Sequence, residues 1–153
     1  MRIAMIGTGY VGLVSGVCFS DFGHDVICVD QNAAKIDQLS SGEVPIYEPG
    51  LQDLMQKNVE AGRLSFTTDL AEAVAGAEAV FIAVGTPTRR GDGHADLTYV
   101  MAAAAEIAAA ITDYTVVVTK STVPLGTNRQ VKQVIAKANP AAKFDVASNP
   151  EFL

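Results

Sequence analysis

Cysteine and positive charge are both scarce in this 153-residue sequence. Its two cysteines, Cys18 and Cys28, are too few for a disulfide framework or a metal-ligand cluster. They suit a reducing compartment, so the expected location is the cytoplasm. Lysine and arginine number 11 against 17 aspartates and glutamates, a net charge of −6. Proteins that grip nucleic acid or an anionic membrane carry a basic face, so neither partner is expected here. Long hydrophobic runs are missing too. The apolar opening at residues 1–6 is broken by Gly7 and Gly9, too early for a signal peptide or a membrane span. The two histidines, His24 beside a turn and His94 in a polar loop, fall in no metal or catalytic pattern. What is present is apolar: 49% of residues are hydrophobic and 18% charged, which excludes a disordered chain. The length fits one domain of the usual ~100–150 residues, with no internal repeat, linker or low-complexity tract.

Two kinds of segment alternate along the chain. Short apolar runs rich in β-branched residues, at 2–6, 25–30, 79–84, 115–119 and 144–147, read as strands, with a weaker one at 64–67. Helical stretches fall at 11–22, 33–40, 51–61, 70–75, 97–111 and 127–138. This alternation predicts an α/β fold, a Rossmann-like doubly wound parallel sheet with right-handed crossovers. The strands are continuously apolar, as expected when helices cover both faces of the sheet. Gly23 stops the first helix, Asp69 caps the fourth, and Asn139-Pro140 stops the last. The alanine run at 102–110 is strongly helix-forming and small enough to pack tightly. The stretch 89–94 is the most loop-like, and we expect it to be mobile.

Gly7-Thr8-Gly9-Tyr10-Val11-Gly12 has the form G-x-G-x-x-G, placed between a strand and a helix as that motif requires. Gly7 allows a tight turn, Gly9 lets a pyrophosphate approach the backbone, and Gly12 lets the helix pack closely. The helix N-terminus offers free N–H groups and partial positive charge to the phosphates. Asp30 closes the next strand, near the ~20-residue spacing expected of the acid that binds the adenosine ribose. Its carboxylate accepts hydrogen bonds from both ribose hydroxyls and repels a 2′-phosphate. No arginine follows it, so NAD is favoured over NADP. Gly85-Thr86-Pro87-Thr88 and Ser121-Thr122-Val123-Pro124 follow the fourth and fifth strands and face the same crevice. Their hydroxyls could reach a nicotinamide ribose, an amide or a substrate. Equally, they could cap helices and turns.

Together these residues resemble the nucleotide-sugar dehydrogenases, the UDP-glucose and GDP-mannose 6-dehydrogenase family. The resemblance extends through Val29-Asp30 with Lys35-Ile36, Pro45-Ile46-Tyr47-Glu48-Pro49-Gly50-Leu51, Lys120-Ser121-Thr122-Val123-Pro124-Leu125-Gly126-Thr127 and Asn149-Pro150-Glu151-Phe152-Leu153. It implies an enzyme that oxidises the C6 alcohol of a sugar nucleotide to a carboxylate with two NAD. An aldehyde stage is held as a thiohemiacetal on a cysteine, taken to a thioester and hydrolysed. It implies that residues 1–153 are the NAD-binding domain of a larger homo-oligomeric enzyme. The connecting helix, the sugar-nucleotide domain and the cysteine nucleophile would then lie beyond Leu153. A uronate precursor for an extracellular polysaccharide would be the product.

By the same resemblance, Tyr10 and Val11 lie at the pyrophosphate, Asp30 and Lys35 hold the adenosine ribose, and Thr86 and Thr122 line the nicotinamide side. Gly7, Gly9, Gly12, Gly85, Pro87 and Ser121 complete the expected cofactor site. Thr122 also positions a water, and Glu151 is the carboxylate for substrate and acid/base work. Neither cysteine is the nucleophile, since Cys18 falls mid-helix and Cys28 mid-strand, where free cysteine is a small buried hydrophobe. Val123-Pro124 favours UDP-glucose as the substrate. GDP-mannose and UDP-N-acetylmannosamine stay open as alternatives, as does a freestanding dinucleotide-binding module without catalysis. Another Rossmann dehydrogenase, of a 3-hydroxyacid type, fits less well because of the block at 45–51.

Overall fold

The computed structural model describes residues 1–89, 91 and 93–151. Six strands form one sheet: β1 (Arg2–Ile6), β2 (Asp25–Val29), β3 (Leu64–Thr67), β4 (Ala79–Ile82), β5 (Thr115–Thr119) and β6 (Phe144–Ser148). The helices between them are α1 (Tyr10–Asp21), α2 (Ala33–Ser40), α3 (Leu51–Glu60), α4 (Leu70–Val74), α5 (Thr98–Ala110) and α6 (Thr127–Ala138). All pairings are parallel and the strand order is β3-β2-β1-β4-β5-β6. The order reverses between β1 and β4, which opens a crevice at the C-terminal strand ends.

The unbroken apolar strands are explained by two cores. Successive side chains of β1 point to opposite faces. Ile3 and Met5 join Leu13, Val17, Leu39 and Met55 on the face covered by α1, α2 and α3. Ala4 and Ile6 join Val74, Val100, Ile107, Val131 and Ile135 on the face covered by α4, α5 and α6. Cys28 is buried in the first of these cores, and burial pushes its thiol up to about 12. Such a thiol is no nucleophile.

The expected punctuation is present. Gly23 takes a positive φ of 96° after α1, and the Asp69 carboxylate accepts from the Glu72 N–H at 3.0 Å. Two strands end earlier than the sequence pattern suggests. β2 stops at Val29 and β4 at Ile82, because Asp30 and the segment after Ala83 leave the sheet to form the crevice floor. The stretch expected to be mobile is closed at its base. Thr88 and Ala95 form an antiparallel bridge, and the Arg89 N–H donates to the His94 carbonyl at 2.7 Å. Arg90 and Asp92 of that stretch lie outside the described residues, as do Phe152 and Leu153 of the terminal motif.

Candidate functional site

The phosphate loop is fixed by backbone sterics. Gly7 adopts φ 104°, and a Cβ there would sit 2.6 Å from the Ala83 carbonyl oxygen. A Cβ on Gly12 would fall 1.9 Å from the Gly7 carbonyl oxygen. The third glycine thus lets the helix fold back on its own loop. It also brings α1 close to the end of β4, where the Ala83 Cβ would lie 3.1 Å away, and Gly16 continues that close approach, since a Cβ there would meet the Cys28 sulfur at 2.6 Å. Gly9 differs from both: nothing lies within 4 Å of its Cβ direction. Its openness faces the crevice, and Gly9 caps α1 without a side-chain hydrogen bond. The first-turn N–H groups of Tyr10 and Val11 carry the helix's partial positive charge there.

Asp30 stands at the mouth of β2. Its Oδ2 accepts from the Thr8 N–H at 3.1 Å, the Thr8 hydroxyl at 2.7 Å and the Lys35 ammonium at 2.8 Å. Its Oδ1 accepts from the Asn32 N–H at 3.0 Å. Burial alone would raise the carboxyl, but the bonds from Lys35, Thr8 and Asn32 outweigh it and hold it down at about 2. The group is charged throughout the physiological range.

A cleft of about 310 Å³ runs over the switch point. Gly7, Gly9, Asp30, Lys35 and Gly85 line it together, as do residues the sequence reading passed over: Gln31, Thr68, Leu70, Tyr99, Ala102, Ala103 and Glu106. The alanines of α5 serve both sides of the helix: Ala104 and Ala108 pack in the core, and Ala102 and Ala103 line the cleft. The cleft fits a dinucleotide by its chemistry. An open glycine and uncapped helix N–H groups suit a pyrophosphate, and a charged acceptor suits a ribose diol.

The remaining expected residues lie outside that cleft. The Tyr10 phenol donates to the Glu48 carboxylate. That bond, with burial and the charges of Glu48 and Glu151, pushes the phenol up. Across the switch point a second cluster forms. The Thr86 hydroxyl donates to the Thr122 carbonyl at 3.1 Å, and the Thr122 hydroxyl to the Glu151 carbonyl at 3.3 Å. Ser121 is buried, and its hydroxyl donates to the Val84 carbonyl at 2.7 Å. Lys120 is also buried, with its ammonium 2.9 Å from Glu151 Oε2 and 3.4 Å from Asn149 Oδ1. Pro87 is exposed, and its carbonyl accepts from the Asp96 N–H at 2.8 Å. Among the described residues, no three His, Cys, Asp or Glu side chains group as a metal site. No helix among them is long and apolar enough to cross a membrane.

Comparison with known proteins agrees with this geometry. The sequence model of the UDP-glucose/GDP-mannose dehydrogenase family, NAD binding domain, matches residues 1–153. A UDP-glucose 6-dehydrogenase of Rhizobium meliloti (strain 1021) is 65% identical over 153 residues, 100% of this chain and 35% of the relative. The chain thus spans about a third of the length of the curated relatives it matches. A ternary-complex crystal structure of GDP-mannose dehydrogenase from Pseudomonas aeruginosa superposes with a TM-score of 0.95 at 42% identity, covering 100% of this chain and 36% of that one. A UDP-glucose dehydrogenase from the archaeon Pyrobaculum islandicum gives 0.92 at 45%, covering 99% and 36%. The cleft, its charged acceptor and these likenesses together show that the chain belongs to the UDP-glucose/GDP-mannose dehydrogenase family, as its NAD-binding domain.

Proposed function

We propose that the chain is the cofactor-binding domain of a UDP-glucose 6-dehydrogenase, an enzyme that oxidises the C6 alcohol of UDP-glucose to the carboxylate with two NAD. The observation that carries the cofactor half is Asp30, a charged acceptor held by three residues at the rim of an open cleft. UDP-glucose rests on the likeness to the Rhizobium meliloti enzyme, 65% identical, against 42% for the GDP-mannose 6-dehydrogenase of Pseudomonas aeruginosa. Both cysteines are free thiols, which supports a reducing, cytoplasmic setting. The homo-oligomer is part of the same reading and rests on the family resemblance alone.

In this reading the Tyr10 and Val11 N–H groups bind the pyrophosphate over Gly7, Gly9 and Gly12, and Asp30 with Lys35 binds the adenosine ribose. Gly85, Thr86 and Pro87, with Ser121 and Thr122, border the nicotinamide side. Bound NAD supplies the hydride acceptor. Thr122 orients a water through its hydroxyl. Glu151 keeps Oε2 on the Lys120 ammonium and has Oε1 to hold a proton from substrate or water. The cysteine nucleophile belongs to the part of the enzyme outside this chain.

The test has two arms. Purified as 153 residues, the chain is expected to bind NADH by fluorescence titration and to reduce no NAD with UDP-glucose. The longer enzyme that carries it is expected to reduce NAD faster with UDP-glucose than with GDP-mannose or UDP-N-acetylmannosamine. Turnover by the 153-residue chain, or a preference for another sugar nucleotide, contradicts the proposal.

A further inference from the structure

The G-x-G-x-x-G motif leaves its second position open to any residue, and here that residue is Thr8. Thr8 is 1% exposed and does not line the cleft, whereas Asp30 does. Both its N–H and its hydroxyl donate to the same oxygen, Asp30 Oδ2. The hydroxyl bond, at 2.7 Å, is the shortest of the four that the carboxylate accepts. A carboxylate has about four lone-pair directions. Oδ2 takes three donors, so its directions are filled before any ligand arrives. Oδ1 takes one donor and keeps one direction free, room for one ribose hydroxyl and not for the two expected from the sequence.

We propose that Thr8 is the positioning residue that locks the Asp30 carboxylate for the cofactor's adenosine ribose diol, and that it thereby sets the preference for NAD over NADP. The proposal rests on the reading that Asp30 binds that ribose. A ribose hydroxyl donates to the carboxylate, so a carboxylate already fixed in place loses little freedom when the ligand binds. A 2′-phosphate has no proton to donate at neutral pH and is repelled by the same charge. NADP keeps only the 3′-hydroxyl as a donor, beside the repelled phosphate, so the gain that Thr8 organises is larger for NAD than for NADP. Lys35 cannot replace it. The lysine is a flexible donor at the cleft wall, 30% exposed along its side chain, and its ammonium attracts a phosphate. Thr8 is the buried neutral donor that holds the carboxylate from behind.

The test is calorimetric titration of the 153-residue chain with NAD and with NADP, for wild type, Thr8→Val, Thr8→Ser and Asp30→Ala. Thr8→Val keeps the shape and the backbone N–H and removes only the hydroxyl bond. We expect about tenfold weaker NAD binding, the worth of one hydrogen bond to a charged group. NADP affinity is expected to fall less, so the NAD-to-NADP ratio drops, and Thr8→Ser is expected to restore it. A purely structural role would weaken both ligands alike. Equal losses for both, or unchanged NAD affinity beside a weakened Asp30→Ala, overturn the assignment of Thr8. An unchanged Asp30→Ala overturns the ribose reading itself. Should valine disturb the packing, Thr8→Ala removes the same hydroxyl without a new methyl. Carboxyl carbon NMR gives a second readout: losing the Thr8 hydroxyl should raise the Asp30 titration midpoint from about 2, and an unmoved midpoint contradicts the lock.

Discussion

At the end of β2 one carboxylate that lines the cleft gathers donors from three residues, whereas the Thr86, Ser121 and Thr122 hydroxyls beyond β4 and β5 finish on backbone carbonyls. The first region gathers its polarity on a group that lines the cleft, and the second uses its hydroxyls to hold loops together. Within the second region the hydroxyls are not equivalent. Ser121 is buried with a short bond, and breaking it leaves a carbonyl unpaired. Thr122 is exposed, with a bond of 3.3 Å that a ligand or water could take over cheaply. Residue type alone does not separate a site hydroxyl from a structural one; burial and bond length do.

The largest expected effect contrasts two glycines of the first region. Gly12→Ala forces a Cβ into the Gly7 carbonyl and should cost at least ~3 kcal/mol in denaturant unfolding. Gly9→Ala should leave stability within ~0.5 kcal/mol, since the Cβ meets nothing. It should still weaken NAD by about tenfold or more, because its methyl enters the cleft where the proposed reading puts the pyrophosphate. Equal behaviour of the two variants would erase the distinction between a glycine for the fold and one for the ligand. Next comes Ser121→Ala, expected to cost about 1 kcal/mol of stability with NAD affinity little changed. Loss of affinity without loss of stability would show that the Ser121 hydroxyl serves the cofactor directly and does not merely hold the loop that borders it. Thr122→Ala should do the reverse, sparing stability and lowering turnover in the longer enzyme.

The smallest effect concerns pH. Asp30 is depressed to about 2 from an unfolded value near ~3.9. Its contribution to stability is thus present above that unfolded value and is lost as pH falls through the folded one. Its share of NAD affinity should be flat between neutrality and about pH 4. Titrations over that range check this, and a break near pH 6 would show that another group governs binding.

Most of the fold was legible because strand and helix periods are local. All six strands and six helices fall where the apolar pattern puts them, with ends shifted by one residue or two, most at β4, which stops at Ile82. The core of the candidate site was legible for the same reason, since Gly7, Gly9 and Asp30 carry a spacing, and all three line the cleft. What stayed hidden depends on contacts between distant segments. Tyr99, Ala102, Ala103 and Glu106 reach the cleft only because α5 crosses beside the switch point. The Tyr10–Glu48 bond joins positions 38 apart, and Lys120 meets Glu151 across the ends of β5 and β6. Thr8 was hidden for a different reason: the motif specifies its neighbours and says nothing of it.

The central claim is that the Asp30 region is built for the adenosine end of NAD. A crystal structure of the chain with NAD bound tests it most directly. The account predicts a ribose hydroxyl within hydrogen-bond distance of Asp30 Oδ1 and the pyrophosphate on the N–H groups of Tyr10 and Val11. A nucleotide lying elsewhere, or a ribose turned away from Asp30, would contradict it.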